Sequence, residues 1–166
     1  PDPVSAAVHL VERWLVDEAD EVIVCSTHMA QEVARGHDRT QRVTVIPNGI
    51  DLAHHSRTDD IPALLLKGSP RLTFVGRLEW EKGVFVAVEA MPAIVRQFPQ
   101  ARLRLVGTGS QAAALADLIA RLDLTDHVEL LGHVDELTLR AAYSSSDLLL
   151  APSSYEPFGI VALEGA

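Results

Sequence analysis

Asp147-Leu148-Leu149-Leu150-Ala151-Pro152-Ser153-Ser154-Tyr155-Glu156-Pro157-Phe158-Gly159-Ile160-Val161-Ala162-Leu163-Glu164 reads as a strand, a turn and the opening of a helix. Three consecutive leucines closed by a proline make the short apolar run expected of a strand covered on both faces, as in a parallel sheet. The Pro and the Gly then shape the turn, and a helical run begins at Gly159. Glu156 precedes that run and Glu164 lies eight positions later, slightly over two helical turns and about 12 Å along an axis. The two carboxylates are therefore expected on one side, Glu156 at the mouth of the helix and Glu164 deeper. Between them, the N–H groups of Gly159, Ile160 and Val161 are expected at the positive end of the helix dipole.

Acids at such spacing are often no more than solvated surface charge. Their position beyond the carboxyl end of a strand argues for more, because open α/β sheets bind ligands there. Carboxylates on either side of a helix N-terminus suit an elongated ligand with an anionic middle and hydroxyl-rich ends. A nucleotide sugar has that form.

The rest of the chain repeats the same alternation. From Arg71 onward, strands are expected at Leu72 to Val75, Leu103 to Val106, Val128 to Leu131 and Leu148 to Leu150. Helices are expected from Gly83 to about Gln97, with Pro92 a potential kink, and from Gln111 to Leu122. Another is expected after an Asp135 cap, as far as about Tyr143. Strict alternation of this kind predicts an α/β fold, a Rossmann-like parallel sheet with helices on both faces. Upstream, a helix from about Ser5 to Asp17, a strand from Val22, a helix from Thr27 and a strand from Val43 to Ile46 lead to Pro47-Asn48-Gly49, a strong turn. We therefore expect one α/β segment over residues 1–51, a linker over 52–70, and a second Rossmann-like segment over 71–166.

Composition excludes several function classes. A 48% apolar fraction with few Gly and Pro residues indicates a globular chain. A net charge of −9 argues against broad nucleic-acid binding, which needs clustered cations. No apolar stretch reaches the roughly 20 residues of a membrane span. The single Cys25 rules out an internal disulfide, reads as a small core residue and fits a reducing, cytoplasmic location. The start at Pro1-Asp2-Pro3 and the stop at Ala166, inside a helical run, are expected of an internal piece of a longer protein. Nothing in the sequence specifies an oligomeric state.

Further site candidates sit at the other strand ends. Gly76-Arg77-Leu78-Glu79-Trp80-Glu81-Lys82-Gly83 carries two cations just before a helix, where an Arg fork and a Lys point charge suit phosphate oxygens. Alternatively, Arg77 and Lys82 pair with Glu79 and Glu81 on the surface. Gly107-Thr108-Gly109 is either a tight β-to-α turn or a ligand contact, and it lacks the third glycine of a dinucleotide fingerprint. Gly132-His133-Val134 could offer backbone groups to a base edge. The seven histidines, His54-His55 among them, have no metal-ligand spacing, and there is no Asp-x-Asp pair to hold a divalent ion.

In this order, these pieces resemble the retaining glycosyltransferases of family 4, which have the two-domain GT-B fold, and within them the glycogen synthase-like and sucrose-phosphate synthase-like branches. The matching stretches are Val45 to Asp51, Gly76-Arg77-Leu78 through Lys82-Gly83, Leu105 to Gly109, Leu131-Gly132-His133, and Pro152 to Glu164. The resemblance implies metal-independent transfer of a hexose, with glucose expected, from a UDP- or ADP-sugar to a carbohydrate acceptor such as an α-glucan. It implies that Arg77 and Lys82 neutralise the diphosphate, with helix N–H groups at Gly159, Ile160 and Val161 in support. Glu156 would hold sugar hydroxyls and Glu164 the ribose, while Gly107, His133 and Val134 would border the nucleotide. The stretch Pro47 to Asp51 would mark the passage between domains. Two rival readings remain, a GT-B epimerase of UDP-sugars and a non-catalytic nucleotide-binding module. Activity would belong to the parent protein, the piece alone binding nucleotide weakly at most.

Overall fold

The computed structural model describes residues 3–36, 43–52 and 57–166. It divides into two compact units, residues 1–49 and 50–166. The division falls inside the Pro47 to Asp51 turn.

The first unit contains α1 (Pro3–Glu18), β1 (Val22–Val24), α2 (Thr27–Gly36) and β2 (Val43–Val45). β1 and β2 pair in parallel, Val22 opposite Val43, and the Ile46 N–H extends the ladder to the Val24 carbonyl at 2.9 Å. Elements and order follow the sequence expectation, but the apolar positions of α1 do not form a core. Leu10 is 70% exposed and Trp14 60%.

The second unit carries β3 (Arg71–Val75), α3 (Val84–Gln97), β4 (Arg102–Val106), α4 (Ala112–Arg121), β5 (Val128–Gly132), α5 (Glu136–Ser144), β6 (Leu148–Leu150) and α6 (Ile160–Glu164). All four strands are parallel, in the order β5-β4-β3-β6. The chain thus builds outward from β3 to β5, then returns to place β6 on the other side of β3. Parallel crossovers are right-handed almost without exception, so reversing the direction of travel moves the connecting helix to the opposite face. The core divides accordingly. Leu72 and Phe74 of β3 and Leu103 and Leu105 of β4 pack with Val84, Val88 and Met91 of α3 and Leu115 of α4. Val106 faces the other way, into a cluster with Ala141 and Ala142 of α5 and Leu65. α3 continues through Pro92 to Gln97 without a break.

Residues 57–70, expected as linker, are instead fastened to this second face. A 3-10 turn at Ala63–Leu66 leaves Leu65 2% exposed, and Ile61 packs against the same cluster. The Thr58 N–H donates to Ser144 Oγ at 3.0 Å, and the Ser69 N–H to the Gln100 carbonyl at 2.8 Å. One buried leucine in irregular backbone leaves no periodicity to read. The turn also serves Arg104, a β4 side chain only 2% exposed. Its guanidinium donates to the Leu65 carbonyl and to Ser145 Oγ. Burial holds its pKa below the ordinary arginine value.

At the opposite end of the strands from the candidate site, Arg71 and Asp147 pin β3 to β6. The Arg71 N–H and Nε both donate to Asp147 Oδ2, at 2.7 and 3.0 Å, and a terminal guanidinium nitrogen donates to Oδ1 at 2.8 Å. These bonds, the side-chain bond from Arg71 foremost, bring the Asp147 pKa down to about 2. A depressed carboxyl pKa adds stability that is complete above the unfolded value and is lost as pH falls through the folded one. We expect a pH-dependent loss between about pH 4 and pH 2, of about 1 kcal/mol after discounting for solvent screening. Urea unfolding of wild type and Asp147→Asn across that range checks it: the variant should be less stable at pH 7 and should lack this component of the acid slope.

Candidate functional site

The point where strand order reverses lies between β3 and β6, and a cavity of about 190 Å³ opens there, beyond the carboxyl ends of both strands. Val75 and Gly76 line it from the β3 side and Ala151 and Ser153 from the β6 side. Lys82, Glu156, Ile160, Val161 and Glu164 complete its wall. A second cavity, of about 230 Å³, lies beyond β3 and β4 and shares Val75 and Gly76 with the first. Arg77, Gly107, Thr108, His133 and Val134 line it. Every expected site residue except Gly159 therefore faces one of two adjoining cavities.

Glycine makes this closeness possible. Gly107 has a φ of 132°, and a Cβ there would lie 2.0 Å from the Gly76 carbonyl oxygen. The loops after β3 and β4 can touch only because this position lacks a side chain. The Leu78 N–H bonds the Thr108 carbonyl at 2.9 Å, and Glu79 accepts from both the N–H and the hydroxyl of Ser110, each at 2.7 Å. These Ser110 bonds hold the Glu79 carboxyl below its usual pKa.

Each charged candidate has a definite partner. Lys82 ends a 3-10 turn (Trp80–Lys82) and its Nζ donates to Glu156 Oε2 at 2.8 Å. Ser153 Oγ donates to the same oxygen at 3.2 Å. The Lys82 bond is the main cause holding the Glu156 carboxyl below the usual carboxylate range, with smaller help from Ser153 and the Gly159 N–H. Lys82 thus pairs across the sheet and not with its neighbours in sequence. Arg77 behaves otherwise: 67% exposed, it pairs with Glu81 at 2.9 Å, the surface alternative weighed on the sequence.

The helix at this site begins one residue later than expected. α6 is the five-residue stretch Ile160–Glu164, and Gly159 caps it in the left-handed region with φ 79°. Glu156 therefore belongs to the preceding loop. The Pro157-Phe158-Gly159 turn brings it to the cavity that Glu164 also lines. The Gly159 N–H turns toward the Glu156 carboxylate, where the sequence expectation had it open to a ligand. Glu164 Oε2 accepts from the Tyr143 hydroxyl at 2.7 Å.

Residues 56–166 match the family described as Glycosyl transferases group 1. The chain belongs to that family. Residues 1–54 match a second description, Glycosyltransferase Family 4. Glycogen synthase of Mycobacterium tuberculosis is 40% identical over 98% of this chain and 39% of its own length. Among solved structures, sucrose-phosphate synthase from Thermosynechococcus elongatus superposes with a TM-score of 0.82 at 29% identity, over 96% of this chain and 41% of that one. Anabaena HepE in complex with UDP-glucose also gives 0.82, at 25% identity over 96% of this chain and 46% of that one. The chain spans about two fifths of the length of the curated relatives it matches. The parallel α/β fold is shared with these GT-B glycosyltransferase structures.

The sequence reading did not find the Lys82–Glu156 bond, whose partners lie 74 positions apart, or Tyr143 behind Glu164. The parallel pairing of β3 with β6 was the available signal for the first, since it brings the two loops together. Expected histidines His37, His54 and His55 lie outside the described residues. No cluster of three or more His, Cys, Asp or Glu suited to a metal ion occurs among the described residues. No helix among them is long and apolar enough to cross a membrane.

Replacing Lys82 with Met should raise the Glu156 pKa back toward the ordinary carboxylate range, because the largest cause of its depression is removed. Carboxyl carbon NMR titration of Glu156 reads this directly. An unmoved titration would mean that Lys82 does not set the state of Glu156.

Proposed function

We propose that the full-length protein transfers a hexose, most simply glucose, from a nucleoside diphosphate sugar to a carbohydrate acceptor, with retention of anomeric configuration. The observation that carries this reading is the Lys82–Glu156 pair across the β3/β6 switch point, beside a second cavity bordered by Arg77, Gly107 and His133. Support comes from glycogen synthase and sucrose-phosphate synthase, which name sugar-transfer enzymes, and from a relative solved with UDP-glucose. UDP and ADP are the candidate nucleotides, and an α-glucan is the candidate acceptor. A reducing compartment such as the cytoplasm suits the lone Cys25.

In this reading the diphosphate lies between Lys82 and the α6 backbone, the nucleotide runs toward His133 and Val134, and the sugar meets Glu156. An ammonium has three N–H donors, so Lys82 can hold Glu156 and phosphate oxygens together. Arg77 is exposed enough to leave Glu81 for a phosphate, a stronger partner through its planar fork. As the nucleoside diphosphate departs, negative charge builds on its oxygens. Lys82, already held in the cleft wall, and the backbone N–H groups at Ile160 and Val161 would stabilise it without reorganising, and Arg77 would join them on leaving Glu81. Glu156 would counter the positive charge growing at the anomeric carbon. The two cations would do the work a divalent ion does elsewhere, and the reaction is proposed to need no metal.

Lys82→Ala and Arg77→Ala in the full-length protein should each lower kcat by about a hundredfold with the fold intact, the usual cost of one preorganised charge. Chelators should leave the rate nearly unchanged, and a strict requirement for Mg²⁺ or Mn²⁺ would contradict the metal-free proposal.

The two glutamates should separate in kinetics. Glu156→Ala should cut kcat strongly while affinity for free nucleoside diphosphate holds or tightens, since Lys82 is released to the phosphates. Glu164→Ala should raise KM and weaken free nucleotide alike, a uniform-binding loss. Steady-state transfer assays with calorimetry read both. An altered free sugar nucleotide in place of a glycosylated acceptor would mark an epimerase.

A further inference from the structure

Glu164 stands on the wall between two cavities. One is the cleft at the switch point; the other, of about 130 Å³, lies behind and is lined by Tyr143, Ser146 and Gly165. Tyr143 lines only the rear one. Its hydroxyl reaches Glu164 Oε2 from that side at 2.7 Å, so the carboxylate meets the cleft with one oxygen already fixed from behind.

The surroundings hold this contact in place. Tyr143 sits in the last turn of α5, and a Cβ on Gly165 would lie 3.5 Å from its ring and 2.4 Å from Leu149 Cδ2. The ring and a β6 side chain thus close tightly around the residue that follows Glu164. Burial, then the bond to Glu164, pushes the phenol pKa up from its ordinary value. Tyr143 therefore remains a protonated donor to Glu164 Oε2.

We propose that Tyr143 is a positioning residue for ribose recognition: it locks the Glu164 carboxylate so that the oxygen left to the cleft meets the ribose hydroxyl pair. This rests on the reading that places Glu164 against the ribose. Tyr143 touches no part of the ligand and works through geometry. A carboxylate free to rotate loses part of each hydrogen bond to ordering, whereas a fixed one does not.

The test uses the full-length protein and whichever of UDP and ADP binds more tightly, together with its 2′,3′-dideoxy counterpart. Tyr143→Phe retains the ring and removes only the hydroxyl. It should weaken the ribonucleotide by about tenfold, the scale of one hydrogen bond to a charged group, and leave the dideoxynucleotide nearly unchanged. Glu164→Ala should abolish the preference for ribose outright, and adding Tyr143→Phe to it should cost nothing more. If Glu164→Ala erases the preference while Tyr143→Phe keeps it whole, the positioning role is wrong and the ribose reading stands. If Tyr143→Phe weakens both ligands equally, its part is only structural and the proposal falls. If Glu164→Ala keeps the preference, or neither nucleotide binds, the ribose reading fails and this proposal with it.

Discussion

β3 is hydrogen-bonded on both sides, to β4 across five residue pairs and to β6 across three. That placement generates the site. A strand with parallel neighbours on both sides, reached by chain running in opposite directions, leaves a gap above its carboxyl end that no crossover helix can fill. Val75 and Gly76 form the floor of that gap and belong to both cavities. The loop that supplies both cations leaves β3 itself, and the loop that supplies Glu156 leaves its neighbour β6. Loss of β3 pairing would remove core and site together, since Leu72 and Phe74 anchor the sheet through the same strand.

Charge in this cleft is arranged locally. The chain has a net charge of −9, yet each cation at the site is balanced by a carboxylate: Lys82 by Glu156, Arg77 by Glu81. The two pairs differ in burial. Lys82 is 21% exposed and Glu156 34%, against 67% and 44% for Arg77 and Glu81. The less exposed pair is the less screened and the more tightly held. Lys82 is therefore held in the wall of the cleft, while Arg77 is a solvent-exposed cation at its rim.

Local pattern is legible in this sequence, and long-range partnership is not. The strands of the second unit are bounded by glycines and prolines and carry the short apolar runs of a covered parallel sheet, so they fall within a residue or so of their expected bounds. Asp135 caps α5 through the Thr138 N–H, as its type and position suggested. The site residues were legible because each lies at a strand end, where the fold gathers them. What escaped reading depends on pairings across the chain. Arg104 passes for an ordinary strand residue until Leu65 and Ser145, 39 and 41 positions away, come to hold it. Residues 57–70 show no period because Leu65 is their one buried anchor in irregular backbone. The helix carrying Glu164 was expected from Gly159 and begins at Ile160, because Gly159 itself takes the left-handed conformation as its cap.

Glu79 spends both carboxylate oxygens on Ser110, one on the N–H and one on the hydroxyl. It clips the loop after β3 to the loop after β4, beneath the stretch that carries Arg77. The two loops are thus joined before any ligand arrives. The entropy cost of forming this part of the cleft is met during folding, so it is not subtracted from affinity. A change at Ser110, which lines neither cavity, would loosen the loop of a residue that does. Drift in sequence at this remote serine is thus a route by which the selectivity of the cleft could change without any alteration to its lining.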